Sequence, residues 1–247
     1  MTVGQAHIDL ALSVSDAIFL DMSASPPGIT GGARFLKTDR DAALYRAMLA
    51  IIQQALMEVN RFPHEVAANM LLRIFPSLTK QMTDTLTTVD NVTIIQFTDP
   101  QPVFIYDAVL ISGTGLNMTT IPLAVKSGPD SFTLRNDRNI QRYDPFISYF
   151  STNKSLYLHD CYKDLSVGKH ARPPRTLAIT YLSYPPHPKD SSSTTLLPIE
   201  EMYVPKVISL ASIYLLSQSG DLIEKDKYLT LDIQNSLAIP LQKPQGG

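Results

Sequence analysis

The chain has 247 residues, 44% of them apolar and 18% charged, which is room for a sizeable core in one large domain or two small ones and excludes wholesale disorder. A net charge of −2 excludes non-specific nucleic-acid binding through a basic surface. A single cysteine, Cys161, excludes an intrachain disulfide framework and a cysteine-rich zinc site. The 18 prolines outnumber the 11 glycines, which favours extended connections and stiff turns over flexible linkers.

In chain order, the N-terminus lacks the basic region of a signal peptide, and Asp9 and Asp16 interrupt its apolar stretch, so synthesis in a cytoplasm without export is expected. The stretch to about Lys37 reads as a short amphipathic segment (Ile8, Leu12, Ile18, Leu20) followed by a loop marked by Pro26-Pro27-Gly28 and Gly31-Gly32. Thr38-Asp39 starts the strongest helix, with Asp41 near its positive end. Leu44, Met48, Ile51, Ile52, Ala55 and Val59 give that helix one apolar face. Pro63 stops it, and Glu65 to Phe75 reads as a second helix ended by Pro76.

From Thr88 to about Tyr184 the texture is β. Residues 92–97 and 103–106 are rich in branched and aromatic side chains, while 155–159 and 176–182 alternate polar and apolar as half-buried antiparallel strands do. Gly113 to Asp144 has too little periodicity to assign elements. Helix returns after the polar stretch 189–195: a turn over 199–203, a main helix from Pro205 to Gln218 stopped by Gly220, and a further helix capped by Asp221 and running to about Asn235. Pro240 and Pro244 keep the last dozen residues extended. Val207 to Leu216, the longest apolar-leaning run, contains Ser209 and Ser212 and is too short to cross a membrane. The expected class is α+β: a helical bundle of N- and C-terminal helices with an antiparallel β insertion, sheet or sandwich, between them. The expected segments are 1–87, 88–195, 196–235 and an extended arm, 236–247.

Motifs for chemistry are weak. His64-Glu65 opens like a zinc-protease helix, but the second histidine belongs at position 68, which is Ala68. Gly113-Thr114-Gly115 lacks the third glycine of a dinucleotide loop, since Met118 stands there, and reads as a hairpin turn. On a strand, His159 and Cys161 share a face, the arrangement of a thiolate–imidazolium pair, although a small cysteine at a strand end is commonly plain packing. His7, His64, His159, His170 and His187 show no metal-ligand spacing. No catalytic residue, cofactor site or metal site is assigned. Lys169, Arg172 and Arg175 form a small basic run between strands, either a solvated loop or a contact for an acidic partner. The extended C-terminus offers Leu237, Ile239 and Leu241 around Pro240 as residues that lie along a neighbour or add a strand to its sheet.

One ordered set of parts stands out. FLKTDRDAALYRAMLAIIQQALMEVNRF is followed by IFPSLTKQMTDTLTTVDNVTIIQF, then by SLYLHDC and RTLAITYLSYPPHP, the acidic helix start LLPIEEMY, and the apolar helix VISLASIYLLSQSGD. This order, from Phe35 to Leu231, resembles the head-to-tail adaptor (connector, neck) proteins of tailed bacteriophages, especially short-tailed ones. The resemblance implies a structural virion protein and not an enzyme. It implies a ring, usually of about twelve copies, below the portal at the head-tail junction. Its partners would be itself, the portal protein and the tail tube or nozzle, with the genome passing through its channel without sequence recognition, and no membrane. The modest negative charge suits DNA that slides without sticking. The alternatives are another neck, tail-tube or terminator component, a hydrolase using Cys161 with a histidine, and a monomeric ligand-binding module.

Overall fold

The structure, a computed structural model, describes residues 1–14, 16, 18–21, 28–32, 34–86, 92–97, 101–112, 118–126, 146–150, 155–159 and 175–219. Helix α1 spans Val3–Ser13, and the Thr2 hydroxyl caps it by accepting the Gln5 amide at 3.2 Å. Its buried stripe is Val3, Ala6, His7, Leu10 and Ala11, the three-and-four spacing of one helix face. Ile8 and Leu12, expected to face inward, lie on the opposite side, and Leu12 is 72% exposed. Strands β1 (Ile18–Asp21) and β2 (Gly28–Gly32) then pair antiparallel. The glycine stretch expected as loop is therefore partly strand, because its backbone donors and acceptors pair whatever the side chains are.

Helix α2 (Lys37–Val59) buries all six residues of its apolar stripe, Leu44 through Val59. The Asp39 carboxylate accepts the Leu36 amide at 3.0 Å and satisfies an N–H that the helix start leaves free. Helix α3 (His64–Ile74) follows Pro63, and a single 3₁₀ turn (Pro76–Leu78) leads out of it. Helix α4 (Val204–Ser219) is entered through a 3₁₀ turn, Glu201–Tyr203. Pro205 sits in its first turn, where no amide is needed for the helix ladder. Helix α4 buries Val204, Val207, Ala211 and Leu215 and packs on α2 and α1. The start of α1 is stitched to the chain ahead of α4: the Val3 and Gly4 amides donate to the Thr195 and Ser193 carbonyls at 2.7 and 2.8 Å, and Leu197 donates to Met1 at 3.0 Å. Gly4 is required there, since a Cβ would stand 2.9 Å from the Ser193 carbonyl oxygen.

The β strands are β3 (Thr79–Leu86), β4 (Val92–Gln96), β5 (Pro102–Ser112), β6 (Thr119–Pro122), β7 (Ala124–Lys126), β8 (Phe146–Phe150), β9 (Ser155–His159) and β10 (Arg175–Ser183). They form two four-stranded sheets, in the orders β3-β10-β5-β6 and β4-β9-β8-β7. Ile105, Ala108, Leu110, Leu177, Ile179 and Tyr181 of the first sheet and Ile95, Ile147, Leu156 and Leu158 of the second belong to one buried cluster. The two sheets therefore share a core in the manner of a sandwich. Strand β7 pairs parallel with β8, so the insertion is not purely antiparallel as expected. β structure also begins at Thr79, nine residues before the expected Thr88.

The protein is thus mixed α+β. It divides into two compact units, one holding Met1–Pro63, Met70–Leu78 and the described part of Pro185–Gly247, the other His64–Asn69 and the described part of Thr79–Tyr184. Strand β3 belongs with the β unit, and residues 185–195 with the helices. The expected helix over 221–235 and the arm over 236–247 lie outside the described residues, as do the Gly113–Gly115 turn and Cys161.

Leu156→Ala and Leu177→Ala, each emptying a fully buried site, are each expected to cost about 2–5 kcal/mol in urea unfolding. Leu12→Ala is expected to change stability by no more than about 0.5 kcal/mol.

Candidate functional site

The densest polar chemistry among the described residues lies at the start of α2. Arg40 and Asp41 are adjacent in sequence and both fully enclosed. Consecutive helix positions differ by about 100° in direction, so the two side chains leave the helix on different faces and need different partners. Arg40 donates through its Nη2 to Asp16 Oδ2. Asp16 also accepts the Arg34 amide at 2.8 Å and the Phe35 amide at 3.1 Å. Burial pushes the Asp16 carboxyl up, but the Arg40 guanidinium and the two amides outweigh it and hold the group below its ordinary value. Asp41 accepts from His7 Nε2 at 2.9 Å and from Lys37 Nζ, one turn earlier, at 3.0 Å. Burial again pushes the carboxyl up, and the bonds to His7 and Lys37 prevail and hold it low.

His64, His159 and His187 are engaged in ring packing and hydrogen bonds. The His64 ring stacks on Phe104 at 5.1 Å, and its Nε2 donates to the Tyr106 carbonyl at 3.1 Å. Pairing with β10 skips from Ile105 to Asp107, so Tyr106 is the extra residue of a β-bulge. Burial pushes the Tyr106 phenol up to about 12, against a smaller opposing pull from its bond to Thr79. His159 is enclosed on β9, stacked on Phe146 at 4.5 Å and bonded through Nε2 to the Ser148 hydroxyl at 2.8 Å. His187 accepts the Lys189 amide on Nδ1 and lies against Tyr45. No group of three or more metal-ligating side chains is gathered among the described residues.

Of the residues proposed from sequence for partner contact, only Arg175 falls within the described set. It is the first residue of β10, opposite Leu86 and Ser112, and only 7% exposed, so it is part of the sheet and not of a solvated loop. Lys169, Arg172, Leu237, Ile239, Pro240 and Leu241 lie outside the described residues. The charge cluster escaped the sequence reading, which saw Asp41 only as a charge near the helix end; its partner His7 is 34 positions away, beyond any local pattern. Exposed apolar side chains are the other feature of note: Leu12, Leu36, Met57, Leu196 and Met202 in the helical unit, and Ile94, Met118 and Ile121 in the β unit.

No protein-family model matches the chain, and no curated protein sequence is significantly similar to it.

Removing one member of a buried pair strands the other, so Arg40→Ala is expected to cost about 3–5 kcal/mol. The Asp16→Ala/Arg40→Ala double variant should cost less than the sum of the singles. Both aspartates have folded-state pKa values below their unfolded ones, so their contribution is complete above about pH 4 and is lost as pH falls further, through the folded-state values. Urea midpoints recorded from neutral to acid pH should fall below about pH 4, and less steeply in Asp41→Asn.

Proposed function

We propose that the chain is a head-to-tail adaptor of a tailed bacteriophage, a structural virion protein that forms a ring below the portal, joins the capsid to the tail and extends the DNA channel. The observation that carries this reading is the order of parts. A long apolar-faced helix comes first, a β sandwich is inserted, and an acidic proline-marked turn leads into α4, which packs back on α2. In this reading α1, α2 and α4 make the helical bundle and the sandwich is the insertion.

Two properties fit. A ring subunit needs exposed apolar side chains to meet its neighbours, and Leu12, Met57, Leu196 and Met202 are of that kind. A channel wall must not hold the genome, and a chain of net charge −2 offers few phosphate-neutralising groups in excess. The engagement of His64 and His159 in packing is consistent with a structural role. Assembly would place the protein at the head-tail junction of the virion, with the portal on one side and the tube or nozzle on the other.

A stop codon early in the reading frame, in the phage that carries it, is expected to yield DNA-filled heads without tails in electron micrographs. Tailed infectious particles from that mutant would overturn the proposal.

A further inference from the structure

Helix α1 is apolar on both sides. Val3, Ala6, Leu10 and Ala11 are buried, while Ile8 and Leu12, one turn apart, are 36% and 72% exposed. A helix apolar all round is one that is covered all round, so the outer side of α1 calls for a partner. Gln5 shares that side with Ile8 and Leu12. Its Nε2 donates to Asp9 at 2.7 Å, which holds the carboxylate beside the two apolar side chains. Helix α1 carries no lysine or arginine, so this face is apolar and acidic.

A second apolar patch, this one beside a base, stands at the C-terminal end of α2. Met57 is 71% exposed and Phe62, just past the helix, 37%. Arg61 lies next to Phe62, is 77% exposed and reaches Glu58 only at 4.0 Å. Helix α1 is fastened to the first turns of α2 through His7 and Asp41. Met57 lies sixteen positions beyond Asp41, about 24 Å along the helix axis. The two patches therefore sit at opposite ends of α2, and the α1 face does not meet the α2 end of its own chain.

We infer that the Ile8 and Leu12 face of α1 in one copy docks on the Met57 and Phe62 end of α2 in the next, with Asp9 of the first beside Arg61 of the second. The partner is a second copy because the two patches are complementary: both are apolar, and each supplies the charge that the other needs. Two different patches at opposite ends of one helix make a head-to-tail contact. Such a contact repeats from copy to copy and closes into a ring when the rotation allows it. The inference deepens the adaptor reading, on which the closure of the ring rests, by naming the surfaces through which neighbours meet.

The test uses Leu12→Glu and Met57→Glu, each of which spoils one patch and leaves the other intact. Both sites are exposed, so both variants should keep the wild-type circular dichroism. Light scattering of the wild-type protein should show a mass that climbs with concentration, and each variant alone should stay a monomer. Mixed one to one, the variants should give the mass of two chains and grow no further, because only one pair of intact patches remains between them. A variant that assembles by itself, or a mixture that stays monomeric while the wild type assembles, would overturn the contact. A wild-type protein that is monomeric in solution yet loads onto capsids with an empty portal vertex would overturn the contact and leave the adaptor reading standing. One that does neither would remove both.

Discussion

Two adjacent charged side chains buried at the start of a helix oblige the chain to deliver a partner to each. Arg40 and Asp41 impose that constraint here, because an uncompensated charge in a dry interior costs more than most packing contacts return. Asp16 answers Arg40 and His7 answers Asp41, and both come from the first sixteen residues. The N-terminal segment is thereby held to α2 by electrostatics, though its helix has only a modest apolar face of its own. Asp16 does double duty, since the amides of Arg34 and Phe35 that it accepts also fix the path into α2.

The rest of the helical unit follows from that anchoring. With α1 held, its start meets residues 193–197 through backbone bonds, and this brackets the turn that leads into α4. Ser13 and Ser212 join α1 to α4 near the far end of α1. The β unit is stabilised differently, by aliphatic burial between two sheets, with Ser148 and His159 a hydrogen-bonded polar pair enclosed on the inner strands β8 and β9. Its β3 edge carries Lys80 and Asp84 on the same side as Met82 and Leu86. Inward-pointing charges of this kind discourage edge-to-edge pairing. Strand β6, last in that sheet among the described residues, has no charged residue.

Where a local pattern matched a local cause, the sequence was legible. The apolar stripe of α2 repeats over six residues, Pro205 marks the first turn of α4, and the alternation in 155–159 and 176–182 places β9 and β10 within one residue of their ends. Illegible elements had causes outside their own segments. Strand β3 reads as polar because it is an edge strand with one face to solvent. Helix α1 buries small residues and a histidine while exposing Ile8 and Leu12, so weighting by size selects the wrong face. The β2 strand is hidden by its glycines. The pairing of His7 with Asp41 joins residues that no window compares, and the burial of Arg175 comes from its place opposite Leu86 and Ser112.

The most direct test of the adaptor assignment is the mass of the purified protein by light scattering, alone and after mixing with capsids that carry an empty portal vertex. Retention of about twelve copies per capsid, even from a free monomer, is the predicted result. A monomer that leaves the capsids unoccupied would contradict it and return attention to Cys161 as the first residue to test for an activity.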